Sequence, residues 1–589
     1  MTAKEKVASL REEMKKNNID AFIVYSADPH MGEYLPAEWQ ERTWLSGFTG
    51  SAGFVVITAN KAGLWTDGRY FTQGPKELQG SGIDLFKDGV EGTPQYIDWI
   101  ISETSANATV AVNGLATSHA NWQALHKKLS ENKRNLKDLP LLNNVWTKRP
   151  APSTNAVFVQ PMERAGQPVT EKIAAIREKM KQEGATAHVL SSLDDVAWTL
   201  NLRGSDVKCN PVFLSYVLLT MDECFLFVDT SKLDEEAQHL MKKSGVELKS
   251  YENFFDYLSS LKDERILIAP NSNQSVFEAV KEENTIIEKP VPGHLMKAIK
   301  NKTEQEGFEK VMVRDGVAMV KFLHWLTHTV GNEELDEYSI GKKLHGFRAE
   351  GENFIGSSFD SIVGYKGNGA IIHYSAKAEG SSKVTNNGSI LVDSGGQYLE
   401  GTTDITRTFP LGDVSEEFME DATKALQGLI QLSLAKFPKG TAGVQLDALA
   451  RMPLWKEGKD YNHGTGHGVG SFLNVHEGPQ SIRKDLNPVE LQEGMVLSNE
   501  PGYYVEGKYG IRHENLILIN TWKKTEWNTF YEFETLTLCP FFKSIMEKSM
   551  LSQEEIDWIN TYHQMVEEKL TPHLDGEVKE WFKEMVSPL

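Results

Sequence analysis

Four carboxylates and a cluster of histidines stand out in the C-terminal half of the chain, because each lies where an apolar, strand-forming run gives way to glycine or a polar residue. Ser389-Ile390-Leu391-Val392 leads into Asp393, and Ser394-Gly395-Gly396 then reads as a turn. A second strand-like run, Thr402 to Thr408, contains Asp404. The two aspartates are expected on neighbouring antiparallel strands, close enough to share an ion. Taken singly, an aspartate at a strand end is more often a cap or turn residue. Downstream, Asn462-His463-Gly464-Thr465-Gly466-His467-Gly468-Val469-Gly470 is followed by Asn474-Val475-His476-Glu477-Gly478-Pro479. The glycines let backbone approach closely and leave the imidazoles unobstructed. Neither a Walker lysine nor a strand-to-helix GxGxxG context is present, so this is no phosphate cradle. Glu500 ends the apolar run from Gly494, and Glu514 falls inside a β-favouring stretch, Gly510 to Ile519. A salt bridge from Arg512 would account for Glu514 alone, but not for the other three carboxylates and the histidine.

Asp393, Asp404, His467, Glu500 and Glu514 together make four carboxylates and one imidazole. In one pocket, four negative charges repel and raise one another's pKa unless cations offset them. Two divalent ions bring the needed charge. A mostly oxygen ligand set with one imidazole suits Mn²⁺ or a similar ion better than a thiolate-bound structural zinc. Two metals roughly 3.5–4 Å apart bind and acidify a water and aim it at a carbonyl carbon. The implied chemistry is hydrolysis of an amide or ester.

Such a site needs a scaffold, and 589 residues predict about three or four domains. Two proline-rich passages, Lys148 to Ser153 and Lys289 to Gly293, read as linkers. They divide the chain into 1–148, 149–292 and 293–589. The first two pieces look like copies. Leu10-Arg11-Glu12-Glu13-Met14-Lys15 recurs as Ile176-Arg177-Glu178-Lys179-Met180-Lys181, and each leads into an apolar strand-like stretch, Ala21 to Tyr25 and Ala187 to Leu190. Trp44 to Ser51 has an echo in Trp198 to Ser205, and β-rich runs follow at Gly53 to Thr58 and Val212 to Val228. Alternating helix and strand signals imply α/β domains with a mixed sheet. The third piece opens with a helical pattern over Lys300 to Leu326 and becomes strand-rich after Asp360.

Composition narrows the partners. Lys and Arg number 62 against 82 Asp and Glu, a net charge of −20. That balance argues against nucleic acid and anionic membrane, which need a basic footprint. The longest greasy segment, Ala318 to Val330, carries Lys321, His324 and His328 and is too short to span a bilayer. Three scattered cysteines, and a charged N-terminus with no apolar h-region, point to reduced thiols and a cytoplasmic setting.

At these residues the sequence resembles the pita-bread metallopeptidases, and within them the aminopeptidase P family in its large, cytosolic, three-domain form. The resemblance rests on Gly369 to Tyr374, Val392 to Gly395, Gly401 to Thr408, His463 to Gly470 and Asn499 to Gly502, which occur in the family's order. It extends to Trp65 to Tyr70, to Asn201 to Gly204, and to the segment around Phe533 to Phe542. It implies two related N-terminal α/β domains followed by a pita-bread catalytic domain. It also implies hydrolysis of the N-terminal Xaa-Pro bond of peptides by a metal-bridging hydroxide. Asp393 would chelate the first metal, His467 and Glu500 the second, and Asp404 and Glu514 would bridge both. His373 would hold the substrate near the scissile bond, and His476 would donate to the developing oxyanion. Glu500 would shuttle a proton to the leaving proline nitrogen. His463, with His373, would wall the proline ring, and Arg69 would contact peptide from the N-terminal domain. Two Mn²⁺ ions are implied, with Co²⁺ or Zn²⁺ tolerated, and a homodimer. His513 departs from the apolar residue common beside this glutamate in relatives, a change expected to touch outer contacts at most.

Other readings use the same residues. A prolidase shares the five ligands but accepts only Xaa-Pro dipeptides. A peptide-binding module on an inactive peptidase fold would typically have lost metal ligands, whereas all five positions are filled here. Carboxylates that are merely solvated turn residues would leave five ordered motif matches as coincidence.

Overall fold

The computed structural model describes all 589 residues. They form two compact units, Met1–Gln160 with Gln167–Gly293, and Pro161–Gly166 with His294–Leu589.

The first unit contains two six-stranded sheets. In one, strands Ala21–Val24 (β1), Phe54–Thr58 (β2), Ala62–Thr66 (β3), Asp84–Lys87 (β4), Thr109–Val112 (β5) and Asn135–Asp138 (β6) lie in the order β4-β3-β2-β1-β5-β6. In the other, Ala187–Leu190 (β7), Ser215–Thr220 (β8), Cys224–Val228 (β9), Val246–Lys249 (β10), Arg265–Ile268 (β11) and Thr285–Glu288 (β12) lie in the order β10-β9-β8-β7-β11-β12. Each sheet is mixed in the same way. The first strand pairs antiparallel with the second and parallel with the fifth.

The sequence echoes occupy matching places in these sheets. Helix Ala3–Lys16 (α1) buries Leu10 and Met14, and helix Val169–Gln182 (α2) buries the aligned Ile176 and Met180. A spacing of four keeps each pair on one helix face. The aligned arginines also do the same work. Arg11 Nε donates to the carbonyl of Thr58, the last residue of β2, and Arg177 Nε to that of Thr220, the last residue of β8, both at 2.9 Å. Gly47 and Asn201, aligned after the paired tryptophans, both take left-handed backbone at a helix C-terminus, with φ of 79° and 51°. Asparagine is among the few non-glycine residues that tolerate this conformation.

The second unit is built on helix Lys302–Thr329 (α3), whose N-terminus Asn301 caps by accepting from the Glu304 N–H. Its Phe308, Val311 and Val320 pack with Leu516 and Leu518, and its Met319, Phe322 and Leu323 with Val363, Ile390 and Val392. Ile362–Tyr365 (β13), Ser389–Ser394 (β14) and Ile405–Pro410 (β15) form an antiparallel sheet with β14 central. Helix Glu416–Ser433 (α4) follows and is apolar on the faces meeting both clusters. A six-stranded antiparallel sheet joins Lys436–Pro438 (β16), Gly466–Gly468 (β17), Glu477–Ile482 (β18), Val496–Asn499 (β19), Asn515–Lys524 (β22) and Thr529–Thr535 (β23), in the order β16-β23-β22-β19-β17-β18. Gly502–Val505 (β20) and Tyr509–Arg512 (β21) make a hairpin between β19 and β22. Helices Gln553–Leu570 (α5) and Gly576–Val586 (α6) close the chain. No helix is long and apolar enough to cross a membrane.

Two local expectations are corrected. Ser394 to Gly396 is not a turn, since strand β14 runs to Ser394 and Gly396–Tyr398 is again extended. Gly395 is required by close approach instead, because a Cβ there would lie 2.0 Å from the Thr403 carbonyl oxygen. Gly510 to Ile519 is likewise not one strand. It breaks at His513 and Glu514, where the His513 N–H donates to Pro501 (3.2 Å) and the Glu514 N–H to Thr406 (3.1 Å). The chain leaves the hairpin there and enters the six-stranded sheet.

Candidate metal centre

Each of the five candidate ligands sits at or beside a strand end. Asp393 is the fifth residue of β14, and Asp404 immediately precedes β15, beside the Ser394–Ile405 pair that closes the ladder. His467 is the middle residue of β17, Glu500 follows β19, and Glu514 occupies the break before β22. The antiparallel register brings them together. One ligand atom from each of Asp393, Asp404 and Glu514 lies within 4.8 Å of the others. The same holds for His467, Glu500 and Glu514. Glu514 belongs to both triads, and Asp404 forms a third with His467 and His476.

His467 is oriented by its own neighbours. Its Nδ1 is 2.9 Å from the Gly468 carbonyl oxygen, and a carbonyl only accepts, so Nδ1 carries a proton and Nε2 is the nitrogen turned towards the carboxylates. Nε2 lies 3.5 Å from both Asp404 Oδ2 and Glu500 Oε1. Ser498 steadies both groups, accepting from the His467 N–H (3.0 Å) and donating to Glu500 Oε1 (3.1 Å). Gly466 must be glycine, since a Cβ would stand 2.1 Å from the Ser498 carbonyl oxygen.

The electrostatics carry the mark of a site built for cations. Burial raises the Glu514 carboxyl well above its ordinary range, and the charges of Asp404, Glu500 and Asp393 add to the rise. Burial lifts Glu500 to about 7, with His467 and Arg512 opposing and the two aspartates assisting. Asp393 is also raised, by burial first, with Arg512 opposing and Asp404 assisting. Burial disfavours charge on His467, but Asp404 and Glu500 overcome it and raise the imidazole to about 9. Asp393 Oδ1 is buried without a hydrogen-bond partner. Buried carboxylates raised by one another, one orphaned oxygen and an imidazole nitrogen directed at them fit two divalent cations.

Arg512, read from sequence as a partner for Glu514, pairs instead with Asp393, donating from Nη2 to Oδ2. Its Nη1 donates to the Tyr504 hydroxyl oxygen at 2.7 Å. His463 Nδ1 donates to the Gly464 carbonyl (2.8 Å), so its Nε2 accepts from Tyr504 (2.8 Å). Burial holds His463 well below the ordinary imidazole range, with Arg512, Arg451 and His373 also opposing its protonation. Glu514 is held by Thr406, whose Oγ1 donates to Oε2 at 2.7 Å. Sequence reasoning missed Tyr504, Thr406 and Ser498. Thr406 stood inside a quoted motif, yet only the fold shows which carboxylate it faces.

His476 lies edge-on to His467, with ring centroids 4.4 Å apart. The next residue, Glu477, is buried with Lys297 and Lys300, and Lys300 Nζ bonds its Oε1. This buried triad anchors the start of β18 beside His476. His373 follows a 3₁₀ turn at Lys366–Ala370 and is half-buried. His513 points away from the centre. It is buried edge-on to Phe541 and burial pushes it to about 3, so it is neutral. Arg69 belongs to the first compact unit, where its guanidinium makes two hydrogen bonds to Asp67, Nε to Oδ1 at 2.9 Å and Nη2 to Oδ2 at 2.7 Å.

Known proteins resemble the chain along its whole length. Residues 306–521 match metallopeptidase family M24, and 529–589 match the C-terminal region of that peptidase. Residues 6–144 and 148–304 each match a creatinase/prolidase N-terminal domain. A probable Xaa-Pro aminopeptidase P of Laccaria bicolor is 41% identical, covering 99% of this chain and 93% of that one. Xaa-Pro aminopeptidase 1 of Dictyostelium discoideum is 40% identical, covering 99% and 96%. The crystal structure of X-prolyl aminopeptidase from Caenorhabditis elegans, described as a cytosolic enzyme with a di-nuclear active site, superposes with a TM-score of 0.95 at 34% identity over 100% of both chains.

The raised pKa values give the metal-stripped protein a distinctive pH response. Its folded state binds more protons than the unfolded chain wherever His467 and Glu500 are raised, so stability falls as pH rises. Glu500 contributes full stability below about 4.3, lost as pH passes about 7. His467 contributes full stability below about 6.5, lost as pH passes about 9. Thermal unfolding of chelator-treated protein between pH 5 and pH 9 should show this decline, and the metal-loaded protein should not.

Proposed function

The chain belongs to the Xaa-Pro aminopeptidase family of M24 metallopeptidases, and we propose that it removes the first residue of peptides whose second residue is proline, using two divalent ions. The observation that carries this reading is the pair of overlapping triads sharing Glu514. We assign Asp393 to one ion, His467 and Glu500 to the other, and Asp404 and Glu514 to both. Mn²⁺ is the proposed native ion, with Co²⁺ and Zn²⁺ tolerated by the same donors. When bound, such a pair supplies an acidified water and polarises the scissile carbonyl.

The chain's own residues supply the rest. Glu500, steadied by Ser498, is placed to move a proton from the attacking water to the proline nitrogen as it leaves. His476, beside His467, donates a hydrogen bond to the carbonyl oxygen as it gains charge. His373 holds the substrate near the scissile bond and, with His463, walls the proline ring. Because His463 Nε2 already accepts from Tyr504, it faces substrate as a fixed, neutral wall. An Xaa-Pro bond is a tertiary amide with no N–H to grip, so shape around the ring has to replace hydrogen bonding. Arg69 is carried forward as a peptide contact on family resemblance. So are the three-domain division at 148 and 292, a homodimer and a cytoplasmic location, the last supported by the cytosolic nematode enzyme.

The prolidase alternative is disfavoured by relatives that match across 99% of the chain, N-terminal domains included. An inactive module is disfavoured by five ligand positions that are all filled and converge.

An assay of Xaa-Pro-Xaa tripeptides beside Xaa-Pro dipeptides tests the assignment. Tripeptides should be cleaved at the first bond, and turnover of dipeptides alone would make the enzyme a prolidase. Asp404→Ala should lower kcat/KM by more than the roughly 10–100-fold typical of losing an outer partner of a metal ligand, and should reduce metal content. His476→Ala should lower kcat roughly 10²–10³-fold with metal content intact; loss of metal in that variant would make His476 a ligand instead.

A further inference from the structure

Helix α3 carries a pair of imidazoles that the peptidase reaction does not use. His324 and His328 are four residues apart and share one helix face, with ring centroids 4.2 Å apart and planes inclined by 34°. His328 Nδ1 is 2.7 Å from the His324 carbonyl oxygen. The carbonyl can only accept, so the proton is on Nδ1 and the His328 Nε2 lone pair is available. His324 is partly buried with its edge on Trp581 of α6, at 5.6 Å. Burial lowers its pKa, the neighbouring His328 adds to this, and Glu577 of α6 opposes it. The His324 ring is thus suited to be neutral near pH 7, the form that ligates metals.

These groups line an open hollow of about 650 Å³, whose wall includes His324, His328, Glu577, Lys579, Glu580 and Trp581. Glu580 there is paired with Lys583 at 3.2 Å, which leaves Glu577 as the carboxylate facing His324. The donor chemistry differs from that of the catalytic centre. Two imidazoles one helical turn apart, with carboxylate nearby, suit borderline transition ions such as Zn²⁺ and Ni²⁺, whereas oxygen-rich sites suit Mn²⁺. We propose that His324 and His328 chelate a single Zn²⁺- or Ni²⁺-class ion on the face of α3 that meets α6, with Glu577 as its charge partner. The ion would tie the C-terminal helix to α3 and stabilise that end of the molecule, since a ligand bound only by the folded state shifts the unfolding equilibrium.

The test uses untagged, full-length protein first loaded with Mn²⁺ and then titrated with Ni²⁺ by calorimetry, comparing wild type with the His324→Gln/His328→Gln double variant. Peptidase activity with Mn²⁺ should be the same in both, showing that the fold and the catalytic centre are intact. Wild type should then take up one more equivalent of Ni²⁺ than the variant, and Ni²⁺ should raise the unfolding temperature of wild type alone. Mn²⁺ in place of Ni²⁺ should fill no additional site. Equal Ni²⁺ uptake by the two proteins, or an equal thermal shift, would overturn the proposal. Because the readout is the difference between the two proteins, it stands or falls independently of the reaction assigned to the catalytic centre.

Discussion

Four carboxylates gathered in a buried pocket repel one another, and this repulsion is the constraint on which the rest of the second unit depends. Arg512 is the one fixed cation bonded to the group, and it is committed to Asp393. The remaining charge shows as raised acids and an imidazole raised to about 9. An arrangement of this kind is costly to fold, because charges removed from water must be paired to be tolerated. Cations would resolve the cost, and in the proposed reading Glu514, common to both triads, joins two ions into a single centre.

Holding such a site open requires a rigid frame, and the frame is made of strands that end together. The β14–β15 ladder sets the two aspartates, and β17, β19 and the break before β22 set the other three ligands. Arg407 fastens these layers to the C-terminal segment. Its guanidinium donates to the carbonyls of Glu514 and Cys539 and to Asn515 Oδ1, bonds the Tyr562 hydroxyl, and lies 4.0 Å over the Phe541 ring. The residues after 529 therefore do more than trail the catalytic sheet. They fix the backbone from which Glu514 projects.

Much of this was legible in the sequence, for physical reasons. Apolar β-branched runs that stop at a carboxylate report a strand end, and a strand end is where a fold can aim a charged group. The convergence of the five candidate side chains was visible in that way, and helical periodicity showed the long helix, expected over 300–326 and found at Lys302–Thr329. Helical spacing and matched blocks revealed the shared design of the two N-terminal sheets, down to the paired Arg11 and Arg177. What stayed hidden were partner choices made across the fold. Arg512 lies two residues from Glu514 in sequence yet bonds Asp393, and it reaches Glu514 only through the Thr406 hydroxyl that lies between them. Gly395 looked like a turn residue, but it is needed where two backbones nearly touch. Tyr504 carries no signal of its own, and its place between Arg512 and His463 appears only once the β20–β21 hairpin is folded.

Anomalous diffraction from crystals of the Mn²⁺-loaded protein, recorded at the manganese edge, bears most directly on the twin-cation centre. Two peaks should appear, one touched by Asp393 and the other by His467 and Glu500, with Asp404 and Glu514 reaching both. A single peak, or ligands turned away from the density, would contradict the account.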